Sequence, residues 1–170
     1  MAILVPSVLL HEFGHAFMAQ RLGGQVDEVE LNGLGGIARI HPLPTRIAEA
    51  ATVAAGPAVT ALLAVQFLGI WMVWSHPWIL HAAAVNIVLL ALNMLPIFPL
   101  DGGRLTRSLV QLFTDRVTAT RIVVAAGRVL LVPLTLFSLY VGIYTFVVLA
   151  AFLWWMGGIE LKIVQYNSNP

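Results

Sequence analysis

Long runs of apolar residues dominate this chain and leave few choices for its fold. A helix that crosses the hydrocarbon core of a bilayer needs roughly 20 mostly apolar residues. Five stretches approach or exceed that length, at 2–19, 48–74, 79–98, 122–140 and 143–156. Only 10% of the residues are charged, so lipid is the expected solvent. We therefore predict an all-α polytopic membrane protein with about five transmembrane helices, in which residues 1–170 form a single domain.

The stretch between the first two apolar segments, 25–44, is polar and rich in glycine. Val26, Val29 and Leu31 lie within a polar run, and Asn32-Gly33 is a turn signal. The segment 37–40 supplies a return strand. This pattern predicts a small β-hairpin that joins the first two helices.

The basic residues predict the orientation of the chain in the membrane. They lie in the first loop (Arg21, Arg39, Arg46), in the third loop (Arg104, Arg107, Arg116, Arg121) and after the last helix (Lys162). Lysine and arginine accumulate on the cytoplasmic side of membrane proteins. We therefore expect an integral protein of the cell membrane, with the hairpin, the third loop and the C-terminus in the cytosol.

The sequence HEFGH at 11–15 lies inside the first apolar stretch. On a helix, His11 and His15 share one face, so both imidazoles can bind one Zn²⁺ with Glu12 beside them as a general base. Two core histidines are the plainer interpretation. In lipid, however, each ionisable residue costs on the order of 2–3 kcal/mol, which favours a bound metal or a polar cavity.

A second polar cluster, NMLPIFPLDGGR at 93–104, ends the third apolar stretch. Its two prolines should break the helix, and its two glycines allow a sharp turn. Taken alone, the pattern is also that of a helix-ending turn with a solvated aspartate. Because the first and third segments both run toward the cytosol, Asp101 and the two histidines are predicted on the same side of the bilayer. Asp101 is therefore the candidate third ligand of a catalytic zinc, which typically has three protein ligands.

Together, HExGH at 11–15 and N-x-x-P…LDGG at 93–103 resemble the motifs of the site-2 protease family of intramembrane zinc metalloproteases. Two further short motifs are similar to family features, the pair Gly35-Gly36 and the triplet Ala55-Gly56-Pro57. The resemblance runs from about residue 9 to residue 107. Thr60 is a departure, since the family often has asparagine there.

The resemblance implies that His11, His15 and Asp101 hold Zn²⁺ and that Glu12 activates the water. It also implies that Asn93 stabilises the oxyanion or positions the substrate. The expected function is zinc-dependent intramembrane endopeptidase activity on transmembrane protein substrates, as in regulated intramembrane proteolysis.

The composition limits which metal ligands and which partners the chain can have. The chain has no cysteine, so a metal must be held by histidine and carboxylate groups. A net charge of +1 gives no indication of a nucleic-acid partner, which leaves the lipid bilayer and membrane proteins as the expected partners. The alternative function is that of a non-catalytic membrane metal-binding or carrier protein. Glu12 argues against it, because a carrier needs no base beside its ligands.

Overall fold

The computed structural model describes residues 3–24, 26–32, 35–40 and 45–168, and in 26–40 it describes the backbone alone. The helices in these ranges are α1 (Leu4–Arg21), α2 (Arg46–Trp74), α3 (Pro77–Asn93), α4 (Asp101–Val110), α5 (Arg116–Val141) and α6 (Tyr144–Ser168). The strands are β1 (Val26–Asn32) and β2 (Gly35–Ile40).

Backbone contacts divide the chain into two units, Met1–Asn93 and Met94–Pro170. In the first unit, α2 packs against both α1 and α3. The helix α2 begins at Arg46, where the hydroxyl of the preceding Thr45 accepts a hydrogen bond from the backbone N–H of Ala48 at 3.1 Å. A side-chain oxygen at this position accepts a hydrogen bond from one of the first-turn N–H groups that have no acceptor within the helix.

Small residues face inward in the first unit, and large apolar residues face outward. The buried apolar residues here are almost all alanines: Ala19, Ala48, Ala55, Ala64, Ala82 and Ala83, together with Val53. The Phe13 side chain, by contrast, is 64% exposed, and Leu62 and Val65 are also exposed. Membrane helices associate through small residues because lipid solvates large apolar side chains as well as a protein core does. This distribution is therefore that of a helical unit surrounded by lipid.

The strands β1 and β2 pair in antiparallel register, with Glu30 opposite Ile37 and Asn32 opposite Gly35. The register shifts between Val26 and Val29. The predicted Asn32-Gly33 turn includes residues outside the described part of the chain.

In the second unit, α5 and α6 form a helical hairpin. Gly142 ends α5 with a positive φ of 82°, a conformation that glycine adopts without the Cβ clash of other residues. The N–H of Ile143 then donates to the Ser138 carbonyl at 2.8 Å, which closes the turn. The two helices pack around a cluster of Ile97, Leu131, Ala150 and Leu153.

The helix α4 is anchored by a buried cation. Arg107 is buried on α4, forms an ion pair with Glu160 of α6, and has its guanidinium carbon 5.4 Å from the centre of the Phe98 ring. Phe98 is itself buried in the loop that leads to α4. A planar guanidinium suits both kinds of contact, so Arg107 ties this loop and α4 to α6.

Three of the helices in the described ranges are long and apolar enough to cross a membrane: Arg46–Trp74, Arg116–Val141 and Tyr144–Ser168. The structure thus supports three spans in this part of the chain, where the sequence predicted about five. Pro77–Asn93 is a shorter apolar helix of 17 residues, because the chain leaves the helix at Met94, before Pro96. The helix α1 carries the polar HEFGH motif, which lowers its mean hydropathy.

Candidate metal centre

His11 and His15 lie one turn apart on α1, on the face that packs against α2. Their side chains are 3% and 5% exposed. Their rings stand nearly perpendicular, with an interplanar angle of 83° and centroids 4.8 Å apart. The two Nε2 atoms approach to 3.2 Å. The helical spacing thus brings the two predicted histidine ligands together, with the same ring nitrogen of each directed to one point.

Hydrogen-bond acceptors on α2 indicate which nitrogen of each ring carries the proton. His15 Nδ1 lies 2.8 Å from the carbonyl oxygen of Thr52, which can only accept, so this nitrogen must be N–H. His11 Nδ1 lies 2.8 Å from the hydroxyl of Thr60. That hydroxyl donates its own proton to the Gly56 carbonyl at 3.2 Å, so it accepts from His11. In the neutral rings, both Nε2 atoms consequently present lone pairs.

Two lone pairs at 3.2 Å repel each other unless a cation lies between them. Nitrogens bound to one tetrahedral Zn²⁺ at about 2.0–2.1 Å are about 3.3–3.4 Å apart, close to the separation seen here. Metal-binding histidines almost always donate their other N–H to a carbonyl, a carboxylate or water. The His11–His15 pair therefore fits zinc in both its spacing and its outer hydrogen bonds.

Two glycines allow α1 and α2 to approach this closely. A Cβ on Gly14 would lie 2.9 Å from the Ala55 carbonyl oxygen, and one on Gly56 would lie 2.2 Å from His15 Nε2. Both distances are shorter than nonbonded atoms tolerate. The glycine of HEFGH and the glycine of Ala55-Gly56-Pro57 are therefore steric requirements of the same helix contact.

The other predicted site residues lie at the ends of elements or beside the pair. Glu12 follows His11 on α1 and is partly exposed. Asn93 is the last residue of α3 in the first unit and is also partly exposed. Their catalytic roles stay predictions.

Asp101 is the first residue of α4, in the second unit, and is 8% exposed. The two glycines that follow it, Gly102 and Gly103, have no room for a Cβ against the backbone of the preceding loop at Met94 and Ile97. The LDGG sequence thus produces a tight turn at the start of α4, where Asp101 is buried. The role of Asp101 as third ligand stays a prediction.

Sequence reasoning missed the part that Thr52 plays. Its backbone carbonyl, and not its side chain, contacts His15, so its residue type carries no signal of this contact. The residue type of Thr60 did give such a signal, because Thr60 is a polar residue at the position where the family often has asparagine. The structure shows that Thr60 keeps a hydrogen bond to His11.

Two related protein-family models match this chain. Peptidase M50B-like matches residues 3–99, and peptidase family M50 matches residues 69–137. A zinc metalloprotease of Methanocaldococcus jannaschii is 26% identical over 98% of this chain and 50% of its own length. The protein Rip3 of Mycobacterium tuberculosis is 40% identical over 75% of this chain and 35% of its own length. The chain thus spans half or less of the length of these curated relatives.

The solved structure of a site-2 protease from Methanocaldococcus jannaschii superimposes with a TM-score of 0.74 and 25% identity. The match covers 94% of this chain and 76% of that one. The apolar helices and the buried histidine pair define an integral membrane protein built around an HExxH helix. The chain belongs to peptidase family M50, the site-2 protease family.

The Gly56→Ala substitution tests the steric basis of the site. The added methyl group would overlap the His15 ring, so the ring must turn away and zinc binding should be lost. Alanine favours a helix over glycine by about 1 kcal/mol, so α2 should remain folded. Zinc affinity is measured by competition with a chelator, and helicity by circular dichroism.

Gly69→Ala is the matched control, because it also lies on α2 and a Cβ there meets no atom within 4 Å. This control should bind zinc like the wild type. Unchanged zinc affinity in Gly56→Ala would show that the described contact between α2 and His15 does not exist in the protein.

Proposed function

We propose that this protein is a zinc-dependent endopeptidase that hydrolyses peptide bonds of membrane-protein substrates within the bilayer. The observation that carries the proposal is the convergence of the His11 and His15 Nε2 atoms at 3.2 Å in a buried setting. Glu12, placed between them in the chain, adds a base that metal carriage does not need. Membership of peptidase family M50 favours this function over a non-catalytic metal carrier.

The proposed site belongs to a single metalloprotease domain of residues 1–170. His11 and His15 supply two neutral nitrogen ligands, and Asp101 supplies the third ligand as a carboxylate. A set of two histidines and one carboxylate is a known arrangement for catalytic zinc. When bound, zinc polarises the scissile carbonyl and lowers the pKa of a coordinated water to about 7.

The remaining residues handle the proton and the developing charge. Glu12 accepts the proton of the attacking water and returns it to the leaving amine, which is general acid–base catalysis. The Asn93 side-chain amide donates a hydrogen bond to the carbonyl oxygen as negative charge grows on it. Its partly exposed position at the end of α3 supports a role in contacting substrate.

The substrates proposed are transmembrane segments of other proteins. Such segments are helical, because lipid offers no partners for unpaired backbone groups. Their peptide bonds are covered by the helix itself, so a substrate must unwind locally before Glu12 can direct water to a scissile bond.

The Glu12→Gln substitution tests the base. Glutamine has the size of glutamate but accepts no proton at neutral pH, so cleavage of a transmembrane substrate should fall by about 10²–10⁴-fold. Zinc content should stay at the wild-type level, because Glu12 is not a proposed ligand. Near-normal cleavage by this variant would exclude the proposed mechanism.

The Asp101→Asn substitution tests the third ligand. Loss of an outer partner of a ligand typically weakens metal binding by about 10–100-fold, and loss of a ligand should exceed this. Asp115→Asn is the control, because Asp115 lies outside the site and caps α5 by accepting from the Thr118 N–H, as asparagine also can. Equal zinc affinity in the two variants would remove Asp101 from the ligand set.

The arginine distribution supports the proposal that the hairpin and the C-terminus lie in the cytosol. A reporter fused after the last residue should therefore behave as cytosolic, and one inserted beside His76, between α2 and α3, should not. Paired alkaline phosphatase and green fluorescent protein fusions distinguish the two sides. The reverse result would overturn the orientation and, with it, a cytosolic active site.

A further inference from the structure

The helix α2 contacts one histidine through a backbone atom and the other through a side chain. His15 donates to the backbone carbonyl of Thr52, which every residue type possesses. His11 instead meets the side chain of Thr60, which is 0% exposed. The orientation of His11 therefore depends on the identity of one side chain, while that of His15 does not.

The Thr60 hydroxyl can act in either direction, because it holds one donor proton and two acceptor lone pairs. If it donated to His11 Nδ1, the ring would carry its proton on Nε2. That proton would then occupy the position where a metal needs a lone pair. The Gly56 carbonyl, 3.2 Å from the Thr60 hydroxyl, disfavours this state, because it can only accept and it draws the hydroxyl proton to itself. The hydroxyl is left as an acceptor toward His11.

We infer that Thr60 is the positioning residue that sets the tautomer of His11, through the chain His11 Nδ1–H to Thr60 hydroxyl to Gly56 carbonyl. The ligand concerned is a divalent metal bound through Nε2, so this inference rests on the proposed zinc site. Thr60 touches neither metal nor substrate, and it acts through His11 alone. Its substitution should therefore weaken metal binding.

The same helix supplies a matched control. Thr52 is also buried on α2, and its hydroxyl oxygen has no hydrogen-bond partner within the described part of the chain. The Thr52→Val substitution removes that hydroxyl and leaves the carbonyl that holds His15. Threonine and valine have nearly the same shape, so Thr60→Val and Thr52→Val make the same chemical change at two sites of similar burial.

The test is the zinc affinity of the full chain in detergent, measured by competition with a chelator. Thr60→Val should weaken binding by about 10–100-fold, as expected for an outer partner of a metal ligand. Thr60→Ser keeps the hydroxyl and should bind like the wild type, and so should Thr52→Val. Thermal unfolding of the metal-stripped variants measures the cost to the fold separately, because Thr60→Val also leaves the buried Nδ1–H of His11 without its acceptor.

Wild-type affinity in Thr60→Val, or an equal loss in Thr52→Val, would overturn the inference while leaving the zinc site intact. Failure of the wild type to bind zinc, or retention of zinc by His11→Ala/His15→Ala, would instead overturn the proposed function. Nitrogen-15 NMR of the histidine rings in the zinc-loaded wild type gives a readout that needs no variant. Protonated Nδ1 on His11 is expected, and protonated Nε2 would contradict the tautomer assigned here.

Discussion

Two imidazole rings buried in an apolar helical unit require partners for their N–H groups, since a buried polar group without a hydrogen bond costs about 1–3 kcal/mol. The α2 helix meets this requirement with the Thr52 carbonyl and the Thr60 hydroxyl, each 2.8 Å from a histidine Nδ1. These two hydrogen bonds fix the direction of both rings. The convergence of the Nε2 atoms, and hence the capacity to bind a metal, depends on them.

Contacts this short are possible only because the two helices lie very close to each other. Gly14 and Gly56 remove the methyl groups that would otherwise separate α1 from α2. Alanines line the rest of the buried surface in this unit. Lipid gives helices no hydrophobic reason to associate, so close van der Waals packing must supply the attraction. The same small residues thus stabilise the helix pair and set the geometry of its polar centre.

The pairing of the two histidines was predictable from the sequence, and the number of spans was not. His11 and His15 are four residues apart, and helical geometry alone puts them on one face. The turn between α5 and α6 lies at Gly142, whose positive φ is a local property of the residue. The predicted span count exceeds three because the apolar stretches were delimited by their length, although each of two stretches contains residues that shorten it or lower its hydropathy. Polar residues interrupt α1, and the prolines after Met94 leave α3 with 17 residues. The acceptor for His15 is a backbone atom, which no residue pattern encodes.

The close approach of α1 and α2 also closes one flank of the histidine pair. An extended strand needs about 4.7–4.9 Å from its neighbour, and the backbone of α2 lies too near Gly14 for one to enter there. The flank of α1 formed by Glu12 and Phe13 is at least partly exposed. One side of α1 is therefore closed by α2 at Gly14, and the flank that carries Glu12 is the one that keeps an exposed surface in the described part of the first unit.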